Sequence, residues 1–314
     1  MPGVLGIDTS CYTTSAAFAS EGMLLSRRRL LPVEQGERGL RQSEAVFAHV
    51  RQLPELVKQV TDEIASAGES ICGVCVSASP VDGESSYMPV FEAGKAFASV
   101  LSSALRVPLF TTTHQRGHLR AAQQDSGLNG DTFLCLHLSG GTTDVLYKRG
   151  DELQCLSRSM DLHAGQLVDR VGVRLGMKFP AGPYLEQAAI EATEWESLPV
   201  SMDEGGCHLS GAENALMRMI DRGVSPQYAA RSTFDLLCRT VLRLLSEASE
   251  RTGEKKVLIF GGVASSVLLR KLLSERNEKR RLGLELYFGK PEYSGDNAAG
   301  VALNGLEKYI AGVR

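Results

Sequence analysis

Val4-Leu5-Gly6-Ile7-Asp8-Thr9-Ser10-Cys11-Tyr12-Thr13-Thr14-Ser15-Ala16-Ala17-Phe18-Ala19 reads as a short apolar run, a polar turn and a second apolar run, the pattern of two strands joined in a hairpin. The pattern returns at Phe133 to Leu138, Ser139-Gly140-Gly141-Thr142-Thr143-Asp144 and Val145-Leu146-Tyr147. Laid over one another, Ser10, Thr13 and Thr14 fall on Ser139, Thr142 and Thr143, each 129 residues further on. Each hairpin is followed by a polar turn (Glu21-Gly22, Gly150-Asp151) and another strand-like run. Equal offsets predict an internal duplication, with one copy opening each of two domains.

Outward from the hairpins, strands and helices alternate. Leu53, Leu56, Val57, Val60 and Ile64 carry helical spacing within Leu40 to Ala67, and Val74 to Ser79 reads as a strand. Phe91 to Leu105 reads as a helix, Val107 to Phe110 as a strand. In the second half, Phe234, Leu237, Cys238, Val241, Leu244 and Leu245 mark an amphipathic helix. A strand (Val257 to Phe260), a helix (Val267 to Glu275), a strand (Leu284 to Phe288) and a last helix (Asn297 to Ile310) follow. This order predicts an α/β fold with parallel pairing. The polar stretch Asp125 to Asp131 puts the boundary between domains 1–128 and 129–314, with a helical insertion near 157–223 in the second.

The 314 residues suffice for two such domains, and 43% apolar with 23% charged residues excludes disorder and coiled coil. A net charge of −3 gives no global attraction to nucleic acid or anionic membrane. Arg27-Arg28-Arg29 and Lys279-Arg280-Arg281 are the dense basic clusters, and runs this short are usually solvated faces. No apolar run approaches membrane-spanning length, and the start lacks the basic region of a signal peptide. Seven cysteines, mostly inside apolar runs, suit a reduced, cytoplasmic protein with no membrane partner. Cys72-Gly73-Val74-Cys75 lies in a strand-like run, where residues three apart face opposite ways, so it is not a redox or zinc motif.

Thr113-His114-Gln115-Arg116-Gly117-His118 carries the sharpest chemical signal. On a helix, His114 and His118 stand one turn apart on one face, the spacing for two imidazoles on one metal. A zinc-protease reading fails, because Gln115 stands where the general base is required. Asp296 can supply a distant third ligand or cap the last helix; either use suits a carboxylate. Ser139-Gly140-Gly141-Thr142 and Gly261-Gly262 are turns whose backbone can approach an anion or a purine. Together with Asp8-Thr9-Ser10 they resemble, in order, the two phosphate turns and the adenosine loop of the actin-like ATPase superfamily. That superfamily (ASKHA, RNase H-like) implies two duplicated domains with an interdomain cleft for nucleotide and metal.

Nearly the whole chain resembles the TsaD/Gcp family of tRNA threonylcarbamoyladenosine transferases, once called O-sialoglycoprotein endopeptidases. The opening Val4 to Cys11, His114 to His118, Leu138 to Thr143, Asp161-Leu162-His163-Ala164-Gly165 with Asp169, Pro180-Ala181-Gly182-Pro183, Gly261-Gly262-Val263 and Ser294-Gly295-Asp296-Asn297 stand at the family's motifs. The resemblance implies one divalent metal, Fe or Zn, on His114, His118 and Asp296. It implies that ATP, AMP or a carbamoyl-adenylate is bound by Ser139, Gly140, Gly141, Thr142, Asp161, Gly165, Asp169, Gly182, Gly261, Gly262 and Ser266. Ser10, Cys11 and Thr13 fall at the reacting end. Expected partners are the adenylate, tRNA as the family's acceptor, and a paralogous actin-like subunit as in the bacterial family.

The departures cluster at that reacting end. Tyr12 and Thr13 replace two acids, and neither is a base near neutral pH. Thr142 replaces a histidine, Arg116 a glutamate beside the metal and Ser266 an asparagine, and the chain stops soon after its last helix. Threonylcarbamoyl transfer to tRNA is therefore weighed against carbamoyl transfer to another acceptor and against a catalytically inactive nucleotide-binding scaffold.

Overall fold

A computed structural model describes residues 1–10, 12–32, 41–83 and 88–313; Cys11 lies outside the described residues. The chain forms two compact units, Met1–Gln124 with Gly295–Arg314, and Asp125–Ser294.

The first unit opens with β1 (Pro2–Asp8), β2 (Thr13–Ala19) and β3 (Leu24–Leu30), followed by α1 (Gln42–Ser66), β4 (Ser70–Ser79), α2 (Pro89–Leu105), β5 (Leu109–Thr113) and α3 (His114–Gln123). Its sheet has the order β3-β2-β1-β4-β5, with β4 parallel to both β1 and β5. Strand alternation divides β1 between two apolar layers. Leu5 and Ile7 pack with Leu53, Leu56 and Val60 of α1, whereas Val4 packs with residues of the chain's last helix. Cys72 and Cys75 lie on β4, and burial pushes the Cys75 thiol up to about 12, so the strand reading of that pair holds.

The second unit holds β6 (Thr132–Leu138), β7 (Thr143–Arg149), β8 (Glu152–Ser159), α4 (Ala164–Arg174), α5 (Gly182–Ile190), β9 (Ser201–Asp203), β10 (Gly206–His208), α6 (Ser210–Asp221), α7 (Pro226–Thr252), β11 (Lys256–Phe260), α8 (Val267–Arg280) and β12 (Glu285–Phe288). Its sheet runs β12-β11-β6-β7-β8-β10-β9. The first five strands repeat the first sheet's connectivity, and the hairpin register repeats too. Asp8 pairs with Ser15 as His137 pairs with Asp144, and Val4 with Ala19 as Phe133 with Lys148. The stretch 157–223 is not purely helical: it ends β8, carries α4, α5 and α6, and adds β9 and β10 to the sheet.

The last helix, α9 (Ala299–Val313), returns to the first unit. The expected division into 1–128 and 129–314 differs here, because Val301, Ala302 and Leu306 bury themselves against Val4, Ala17 and Cys75. Gly300 makes this docking close. A Cβ there would stand 1.8 Å from the Gly117 carbonyl oxygen, so the backbones of α9 and α3 touch at a point where only glycine fits. Among the described residues no helix is long and apolar enough to cross a membrane.

Candidate metal centre and nucleotide turns

The α3–α9 contact decides where two histidines and a carboxylate meet. The Thr113 hydroxyl accepts from the Arg116 amide at 3.2 Å and caps α3, so the helix begins at His114. One turn on, His118 shares its face. Asp296 arrives on the turn ahead of α9 and is not that helix's cap. Asn297 Oδ1 accepts from the Ala299 amide at 3.0 Å, which leaves the Asp296 carboxylate to other use.

Three ligand atoms converge. His118 Nε2 lies 2.9 Å from His114 Nε2 and 3.1 Å from Asp296 Oδ1, and His114 Nε2 lies 3.5 Å from the same oxygen. Atoms about 2.1 Å from one cation and set 90–110° apart are about 3.0–3.4 Å from each other, so the spacing fits a metal. The donor chemistry fits as well. Asp8 Oδ2 lies 2.8 Å from His114 Nδ1, and an ionised carboxylate only accepts, so the ring proton sits on Nδ1 and Nε2 turns its lone pair to the cluster. Ser10 Oγ lies 2.7 Å from the same Nδ1, and the Ser10 amide donates to Asp8 Oδ1 at 2.9 Å.

Burial works against both charged carboxylates. For Asp8, the charge and hydrogen bond of His114 and the bond from Ser10 outweigh it and hold the carboxyl below its ordinary value. For Asp296, hydrogen bonds and charges of His114 and His118 do the same. An imidazole that ligates a metal does so as the neutral ring, so with a cation bound the two carboxylates would carry −2, a charge that a divalent cation would neutralise. Two nitrogens and one oxygen suit Fe or Zn better than Mg.

The other residues expected at this end are placed differently. Ser10 is fully buried, with its hydroxyl on His114. Thr13 opens β2 opposite Leu30 and is only 4% exposed, while Tyr12 is 46% exposed. Arg116 does not present a free charge next to the histidines. Its Nε lies 2.9 and 2.8 Å from the two carboxylate oxygens of Asp82, and its Nη2 lies 2.6 Å from Oδ2. Asp82 escaped sequence reading, and Asp8 was read as part of a phosphate turn, not as the partner of His114. The available hint for Asp8 was an acid at the end of an apolar strand.

Within the second unit, the nucleotide turns gather at the carboxyl ends of the adjacent parallel strands β6 and β11. Gly261 has φ +105°, and a Cβ there would stand 2.2 Å from the Leu138 carbonyl oxygen. The Gly261-Gly262 turn thus lies on the start of the Ser139–Thr142 turn. That turn is closed by the Ser139 amide donating to the Thr142 carbonyl at 2.8 Å, and Gly165 of α4 donates to the Ser139 carbonyl at 3.1 Å. Gly140, Gly141 and Gly262 have no atom within 4 Å of where a side chain would begin, so their backbone stays approachable.

Four expected nucleotide residues are occupied by internal bonds or lie apart from the turns. Asp161 accepts from the Leu162, Leu209 and Ser210 amides and the Ser210 hydroxyl, which anchors the start of α6. Asp169 accepts from the Ala181 amide at 2.7 Å, just ahead of Gly182, the first residue of α5. Ser266 accepts from the Leu269 amide at 3.1 Å as the cap of α8.

The two-sheet architecture is the actin-like ATPase fold. It matches full-length HypF in a phosphate- and nucleotide-bound form at TM-score 0.63 and 11% identity, over 98% of this chain and 46% of that one; the chain spans about half of HypF. It also matches a ROK family glucokinase from Streptomyces griseus at TM-score 0.54 and 13% identity, over 97% and 99% of the two chains. The model of the TsaD family, tRNA N6-adenosine threonylcarbamoyltransferase, matches residues 33–303, and the chain belongs to this family. A tRNA N6-adenosine threonylcarbamoyltransferase of Pyrobaculum calidifontis is 28% identical over 99% of this chain and 89% of the relative.

Proposed function

We propose that the protein transfers a threonylcarbamoyl group, or a carbamoyl group, from its adenylate to an acceptor, with tRNA adenosine the acceptor by family default. The observation that carries this reading is the convergence of His114, His118 and Asp296 with Asp8 behind His114. These three residues would hold Fe or Zn, which when bound supplies Lewis-acid polarisation of a carbonyl or phosphate oxygen. Asp8 fixes the tautomer of His114, and Ser10 braces the Asp8 carboxylate and the ring. The Ser139–Thr142 and Gly261–Gly262 turns offer open backbone for the phosphate and adenosine. Binding to a paralogous actin-like subunit belongs to the same reading.

The test is incubation of metal-loaded protein with carbonyl-labelled threonylcarbamoyl-adenylate, with and without tRNA, beside His114→Ala. Label in tRNA that disappears in the variant supports the reading. Unchanged metal content and adenylate binding in His114→Ala contradict it.

Carbamoyl transfer to a small molecule or protein is favoured by one observation: the buried Thr13 and exposed Tyr12 supply no base for an incoming amine near neutral pH. Incorporation that depends on tRNA excludes it. Adenylate binding without turnover marks the inactive scaffold instead.

A further inference from the structure

Strand β3 carries three consecutive arginines, and the sheet uses them unequally. Alternation turns Arg27 and Arg29 to the α1 face. There Arg27 pairs with Glu63, and Arg29 makes two bonds of 2.7 and 2.9 Å to Glu55. Arg28 faces the opposite side, where α9 packs. Its Nη1 lies 3.5 Å from the backbone oxygen of Asp296, the outer limit of a hydrogen bond, and 2.9 Å from where a Cβ of residue 295 would stand. The guanidinium is thus laid along the turn that presents Asp296, and Gly295 leaves it room. Arg28 is exposed, and no carboxylate among the described residues pairs with it. Among the described residues its hydrogen bond is the long one to the Asp296 carbonyl oxygen, which leaves most of its five N–H groups available beside a residue of the cluster.

A guanidinium fork recognises a flat or tetrahedral oxyanion through two parallel bonds. A carbamoyl group is neutral, but its adenylate carries a phosphate and the threonylcarbamoyl group also carries a carboxylate. We infer that Arg28 binds an oxyanion of the ligand engaged at His114, His118 and Asp296. This rests on the transferase reading for the identity of the ligand. A phosphate and a carboxylate are its two sources.

The experiment is calorimetric titration of the zinc-loaded full chain with AMP and, separately, with N-carbamoyl-L-threonine. Wild type is compared with Arg28→Met, Arg28→Lys and, as a control, Arg29→Met. At least a fivefold loss in Arg28→Met for one ligand is expected, with Arg28→Lys intermediate and zinc content and Arg29→Met unchanged. Loss for AMP identifies phosphate as the source, and loss for carbamoyl-threonine identifies the carboxylate. Equal affinities of wild type and Arg28→Met for both ligands overturn the inference. If wild type takes neither ligand, the transferase reading fails by itself, and inorganic phosphate titrated into wild type and Arg28→Met decides Arg28. Weaker binding to the variant sustains it; equal binding, or none to either protein, overturns it.

Discussion

Asp8 Oδ2 and His114 Nδ1 stand 2.8 Å apart, joining the end of the first strand to the first residue of α3 across 106 positions of sequence. Through this bond the carboxylate sets which nitrogen of His114 faces the cluster. Asp8→Asn removes the charge at nearly constant volume. We expect metal affinity to fall by about 10–100-fold while the circular dichroism spectrum is kept, read by competition with a chelator.

His118→Ala and Asp296→Asn each remove or weaken one of three ligands. Metal stoichiometry after dialysis should drop from one per chain to near zero for His118→Ala and fall partly for Asp296→Asn. Full retention in His118→Ala would mean that the three atoms do not share an ion.

Arg116 and Asp82 are each about a third exposed, so their bidentate pair is partly screened. A double-mutant cycle of Arg116→Ala and Asp82→Ala should return a coupling of about 0.5–1 kcal/mol in urea unfolding. Arg116→Glu alone should cost more than Arg116→Ala, because it sets a carboxylate against Asp82.

Gly300→Ala drives a methyl into the Gly117 carbonyl. Loss of about 3 kcal/mol or more is expected, since the obstruction is backbone and cannot rotate aside. Metal affinity should fall in parallel as α3 and the Asp296 turn separate.

Asp235, 1% exposed on α7, binds Arg239 at 2.8 Å and also Arg276. Burial opposes its charge, but the two arginines overcome this and hold its pKa below the unfolded value of about 3.9. The unfolded chain therefore takes up the proton first. The stabilisation is full above about pH 5 and is lost as pH falls through the unfolded value and then through the lower folded pKa. Asp235→Asn should lower stability at neutral pH and flatten this acid slope in urea midpoints.

The duplication was legible because both hairpins keep a rigid pattern, apolar strand then hydroxyl-rich turn, at one constant offset. The i, i+4 histidines were legible because helical spacing is local. The convergence of Asp296 on them was not: 178 positions separate it from His118, and the residues alone offered it equally as a distant ligand or as a helix cap. The return of α9 was equally hidden: the polar, glycine-bearing stretch Gly289 to Asn297 reads as an ordinary connection between a strand and a helix, and nothing local in it says which unit that helix joins. Asp161 and Ser266 show the opposite difficulty. Their side chains are consumed by helix starts, a use that spacing alone does not separate from ligand binding. Arg116 read as a reversed charge because its neutralising partner, Asp82, lies 34 positions earlier, in the turn that follows β4.

That the final helix closes the first unit has a consequence for how the protein is made. Asp296 follows the whole of the second unit in the order of synthesis, so a growing chain has both imidazoles long before their carboxylate. A nascent polypeptide that has not yet reached Asp296 carries only the two histidines of the cluster, so the three side chains can meet on one ion only after the second unit has been made.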